Sequence, residues 1–162
     1  MSASQRLTMR RTLTATLAEV WELWTTKDGI ESWWGPKGFR VEVDHLDLRD
    51  GGQLRYRMIA TDPDTIRFIG KAGMPFEQAV SVTFGDVVPL RRLVLSTRVD
   101  FVPGMASYAV ESSIELEQEG SQVHMTIHLD PMHDQVWSER SLAGWHSQLD
   151  KLDALFAGRS VR

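Results

Sequence analysis

One amphipathic helix near the C-terminus must serve every strand in this chain. In "HDQVWSERSLAGWHSQLDKLDALFAG", Leu142, Trp145, Leu149, Leu152 and Phe156 recur at helical spacing and share one face, with Gly158 placed to end the helix. Ahead of it the apolar period is mostly two. Phe39, Val41 and Val43 alternate with Arg40, Glu42 and Asp44, and Leu54, Tyr56 and Met58 alternate with Arg55 and Arg57. Three further strands are expected over Val80–Val88, Arg91–Phe101 and Ser107–Glu117, with Leu93, Leu95, Val99, Val110, Ile114 and Leu116 facing inward, and a last one over Ser121–Leu129. Antiparallel strands that must bury one face, with one long helix to cover it, argue for an α+β fold.

The remaining elements fit that plan. Gln5–Leu13 reads as a first strand. Leu17, Val20, Trp21 and Trp24 then mark a short helix, opened by a capping box of Thr16 and Glu19. Asp28 and Glu31 repeat the capping logic for a second short helix, which Gly35-Pro36 must stop. After His45 the apolar phase moves to Leu46 and Leu48, the mark of a bulge or bend, and Asp50-Gly51-Gly52 forms a hairpin turn. From Asp62 to Ala79 the pattern is compatible with a strand fragment, a short helix or a loop. No repeat or linker-like shift in composition divides residues 1–162, so one domain is expected.

Composition narrows the function classes. A net charge of -4 without any Lys/Arg block disfavours nucleic-acid binding. The absence of cysteine removes disulfides, thiol nucleophiles and thiolate metal sites together. No apolar run reaches the length of a membrane span, and none near the start forms a signal-peptide core, so a cytoplasmic protein is expected.

The order of elements, with the segments "VWELWTTKDGIESWWGPKGF", "DLRDGGQLRYRM", "VVPLRRLVLS" and "GWHSQLDKLDALF", resembles the helix-grip fold of the START/SRPBCC superfamily. It looks most like bacterial single-domain proteins grouped with the activator of the heat-shock-protein-90 ATPase. The resemblance implies a curved sheet of about seven strands around the long helix, with two short helices between the first two strands. It also implies a cavity between sheet and helix for a small hydrophobic molecule, lipid-like or aromatic. Two other implied readings are a cyclase- or hydrolase-like enzyme using that cavity, and a partner of the chaperone ATPase. No cofactor is expected.

Candidate residues follow from these readings. Trp33 and Trp34 point about 100° apart on a helix, so either both anchor the core or Trp34 forms a pocket rim. Met58, Met74, Phe76 and Phe84 either line a cavity or fill the core, as do Met105 and Met125. Trp145 is placed on the covering helix face, and Tyr56, Gln148 or His146 would orient a ligand. His146 or His45 would be the acid/base of an enzyme, but His146 has no recognisable catalytic companion, and the polar cluster of Asp44, His45 and Asp47 is more simply a solvated bend. His124 and His128, as strand residues four apart, have Cα atoms about 13 Å apart and cannot share a metal ion. They are expected on the outer sheet face. Arg55 and Arg57 read as a basic stripe paired across the hairpin with Glu42 or Asp44. An exposed sheet edge leaves homodimerisation open.

Overall fold

A computed structural model describes residues 6–100, 102 and 104–158. The chain runs β1 (Leu7–Thr14), α1 (Leu17–Thr25), α2 (Lys27–Trp33), β2 (Phe39–Leu46), β3 (Gln53–Ala60), α3 (Pro63–Lys71), β4 (Glu77–Val88), β5 (Arg92–Val99), β6 (Tyr108–Glu119), β7 (Gln122–Leu129) and α4 (Gln135–Phe156). The expected strand limits at Gln5 and Phe101 fall outside the described residues. All seven strands form one antiparallel sheet in the order β1-β7-β6-β5-β4-β3-β2. Strands β1 and β2, neighbours in sequence, therefore lie at opposite edges, and α1 and α2 carry the chain between them. This is the helix-grip arrangement.

Local sequence explains the helices. Thr16 and Glu19 form the expected capping box at α1. For α2 the expectation is corrected: Thr26, not Asp28, is the N-cap, and its hydroxyl accepts from the Gly29 N–H. Asp28 stands in the first turn, while the Glu31 carboxylate accepts from the Val43 N–H at 2.7 Å and from Lys27 at 3.0 Å. Those bonds hold the Glu31 carboxyl below its usual range, the backbone bond foremost. Glu31 thus ties α2 to the β2 edge. The ambiguous segment winds into α3, with Asp62 as N-cap, Pro63 at the first position and Lys71 in the last turn.

The register of β2 on β3 slips between Val43 and His45, so Asp44 is the bulged residue, and the strand ends at Leu46 rather than running on through Leu48. Consequently Arg55 faces His45 and bonds Gln53, whereas Arg57 alone makes the expected cross-strand pairs, with Asp44 at 3.0 Å and Glu42 at 3.6 Å, and adds Glu77 at 2.8 Å. A second slip occurs between Phe84 and Val87 of β4. His124 and His128 alternate with buried Val123, Met125, Ile127 and Leu129 and bond Thr12 and Thr8 of β1 across the ladder. Among the described residues no group of His, Asp and Glu could hold a metal ion, and no helix is long and apolar enough to cross a membrane.

Helix α4 packs unevenly along its length. Leu149 and Leu152 in its second half are completely buried and Phe156 nearly so, whereas Leu142 and Trp145 are only half-buried. The core proper therefore lies under the C-terminal half of α4. Its N-terminal half covers something else.

Candidate ligand cavity

Under the N-terminal half of α4 lies a cavity of about 290 Å3, open to solvent at one side. Its floor is the inner face of the sheet, with Tyr56 and Met58 of β3, Thr97 and Val99 of β5, Val110 and Ser112 of β6, and Leu129 at the end of β7. Its roof is a single stripe of α4: Trp137, Arg140, Ser141, Gly144, Trp145 and Gln148. That spacing, i, i+3, i+4, i+7, i+8 and i+11, is one helix face. Met132 and the Trp34–Pro36 corner complete the wall.

The empty space has a cause in side-chain volume. Where the second half of α4 presents leucines and phenylalanine, this stripe presents Ser141 and Gly144. A Cβ built on Gly144 would meet nothing within 4 Å. Glycine within a helix costs about 1 kcal/mol relative to alanine, so its place here exchanges stability for volume.

The Trp34–Pro36 corner is pinned to α4 by three side chains. The Gly35 N–H donates to Gln148 Oε1 at 3.1 Å, the Gly35 carbonyl accepts from Lys151 Nζ at 2.9 Å, and the Lys37 N–H donates to Ser147 Oγ at 2.8 Å. Gly35 has a φ of 93°, a left-handed conformation that favours glycine. Burial depresses the Lys151 ammonium below its usual range. With the Gln148 oxygen accepting from Gly35, its NH2 is a donor that a ligand can use.

Trp34 is both core and wall. Its ring meets Trp33 at 4.9 Å, Trp24 at 5.2 Å, Trp145 at 5.6 Å and Tyr56 at 6.4 Å between centroids, all in edge-to-face geometry. Trp33 is fully buried and donates its indole N–H to the Leu23 carbonyl at 2.8 Å. The alternatives of core anchor and pocket rim are thus not exclusive at Trp34. The Tyr56 phenol, buried beside Trp34, has its pKa pushed up to about 12 by desolvation, which the neighbouring Trp34 side chain partly offsets. It is a neutral hydroxyl at any physiological pH.

Of the residues singled out in the sequence, the fold brings Trp34, Tyr56, Met58, Trp145 and Gln148 together around the cavity. The others lie elsewhere. Phe84 is 1% exposed within the core and is not part of the lining. Met74 and Phe76 are carried away because the β3–β4 connection winds into α3, and Phe76 rests over Gly70 of that helix. Met105 is exposed and Met125 is buried in the core. His146 is exposed, one position off the lining stripe, with its Nδ1 3.3 Å from the Arg11 guanidinium. His45 is exposed beside the β2 bulge. Neither imidazole is placed to exchange a proton with a molecule in the cavity. Trp137, Arg140, Ser141 and Gly144 also line the cavity without having been expected there, although their spacing from Trp145 and Gln148 places them on one helix face.

The family described as "Activator of Hsp90 ATPase homolog 1-like protein" matches residues 14–157. The chain belongs to this family. Among solved structures, a protein from Chromobacterium violaceum superposes with a TM-score of 0.77 at 21% identity, covering 97% of this chain and 100% of that one. A protein from Nitrosomonas europaea gives 0.71 at 22% identity, with 96% of each chain covered. An AHSA1 protein from Silicibacter pomeroyi gives 0.72 at 19% identity, covering 94% and 97%. At these identities the likeness is one of fold. No curated protein matches the chain in sequence.

Proposed function

We propose that this member of the family binds a small hydrophobic molecule in the cavity under α4 and does not transform it, acting in the cytoplasm. The observation that carries the reading is the cavity itself: a preformed opening of about 290 Å3 walled by Trp34, Met58, Val99, Val110 and Trp145, beside the buried Leu149, Leu152 and Phe156 of the same helix. Pockets of this kind are apolar with a few convergent polar groups, here the Tyr56 hydroxyl, Ser112 and the Gln148 amide. Burial of apolar area at about 25 cal/mol per Å2 supplies the affinity. Among the described residues, the lining has neither a carboxylate nor an imidazole to serve as a proton shuttle, which favours binding over catalysis.

The test is native mass spectrometry of the purified protein together with its Gly144→Leu variant, whose new side chain would occupy the empty space. A small molecule that accompanies the wild type and is absent from the variant is the expected result. If no molecule co-purifies, and neither lipids nor aromatic compounds displace a fluorescent apolar probe, the reading fails.

A further inference from the structure

Arg140 is the one charged side chain among the described residues that line the cavity. The only other ionisable group there is the Tyr56 phenol, which burial keeps neutral. This is notable in a chain whose net charge is -4. Most arginines of the structure are spent on carboxylates: Arg6, Arg11, Arg40, Arg49, Arg57, Arg67 and Arg92 all form ion pairs. Arg140 has no carboxylate partner among the described residues. Its neighbour Glu139 accepts instead from the Gln135 amide at 3.1 Å. The Arg140 guanidinium is held 5.1 Å from the centre of the Trp137 ring, itself part of the wall, so the cation is positioned without being neutralised.

An unpaired guanidinium on the lining, with apolar and neutral polar groups elsewhere around it, discriminates by charge. It offers paired N–H donors to a carboxylate and repels a cation. The cavity of about 290 Å3 is open at one side and Arg140 is exposed, so the apolar part of a small ligand can lie inside with its charged end toward solvent. We infer that the ligand is a small hydrophobic carboxylate, its ring or chain between Trp34, Met58 and Trp145 and its carboxylate at Arg140. This rests on the ligand-binding reading above and names the class of ligand.

The inference is tested by calorimetry with two acid and alcohol pairs, naphthoic acid with naphthalenemethanol for ring ligands and decanoic acid with decanol for acyl chains. The proteins are wild type, Arg140→Gln, and Arg10→Gln as a control at an exposed position remote from the lining. In whichever pair binds, wild type is expected to prefer the acid at neutral pH by roughly two- to fivefold, the range of a solvent-exposed charge-assisted pair. High salt should narrow that preference. Arg140→Gln is expected to abolish the preference for the acid, and Arg10→Gln to preserve both that preference and the alcohol affinity. If the alcohols bind as well as the acids, or the preference survives in Arg140→Gln, the inference is overturned and the cavity reading stands. If neither member of either pair binds, the inference is overturned, and the cavity reading is decided by the co-purification and displacement test above.

Discussion

Gln148 and Gly35, 113 positions apart in sequence, are joined by a buried hydrogen bond of 3.1 Å between the side-chain oxygen and the backbone N–H. With Lys151 on the Gly35 carbonyl, both backbone groups of one residue are satisfied by the same helix. The contact closes the corner behind Trp34, and it orients the Gln148 amide toward the cavity. Two functions, holding the loop and furnishing the wall, share one side chain.

Replacing Gln148 by leucine keeps the apolar volume but leaves the Gly35 N–H without its acceptor. A buried donor without a partner costs about 1–3 kcal/mol. Urea unfolding should show a loss of that size with an unchanged m-value. An unaffected midpoint would mean that water or a rearranged loop replaces the bond.

Gly144 predicts a separation of stability from binding. Gly144→Ala should raise stability by about 0.5–1 kcal/mol, since the position is helical and a Cβ meets nothing there. Gly144→Leu should fold at least as well as wild type yet lose probe binding. Thermal unfolding and a probe titration on the same samples check both halves, and a loss of stability in the alanine variant would contradict the account.

The Tyr56 phenol should titrate late. Its folded-state pKa of about 12 lies above the ordinary 10, so the native state retains a proton that the unfolded chain has released. The stability tied to that proton is complete below pH 10 and declines as the pH rises from 10 toward 12, by on the order of 3 kcal/mol in total. An ultraviolet difference titration of wild type against Tyr56→Phe should isolate one phenol ionising near pH 12.

Trp34→Phe should cost about 1–2 kcal/mol, since the smaller ring leaves a void amid Trp24, Trp33 and Trp145. A denaturant curve measures the loss, and an unchanged midpoint would contradict the account.

Much of the fold was legible because its signals are local. The capping box at Thr16, the alternation through Leu54, Tyr56 and Met58, and the stripe from Leu142 to Phe156 each depend on residues within one or two turns. The α3 helix was equally local, in Asp62-Pro63, but with nine residues and only Ile69 buried it is too short to establish a period. The cap of α2 was misassigned to Asp28 because Thr26 ends one helix and starts the next, and only the backbone path shows which oxygen reaches Gly29.

The cavity was half legible. Tyr56, Met58, Trp145 and Gln148 could be placed on inward faces, but whether an inward residue fills space or borders it depends on what stands opposite. Phe84 and Tyr56 share an alternation pattern, yet Phe84 lies outside the lining. Met74 and Phe76 were lost to the site by the course of α3, and Arg140 was hidden because an arginine on a helix looks like surface until the groups around it are known.

By itself the sequence determined the class of the fold, the order of its elements and the faces they would bury, since hydrophobic period and capping act over short distances. Tertiary structure alone decided where that burial stops short. Sheet and helix meet side chain to side chain under Leu149, Leu152 and Phe156. Under Ser141 and Gly144 they do not, and the space left over is a difference between two surfaces that come together only when the chain has folded.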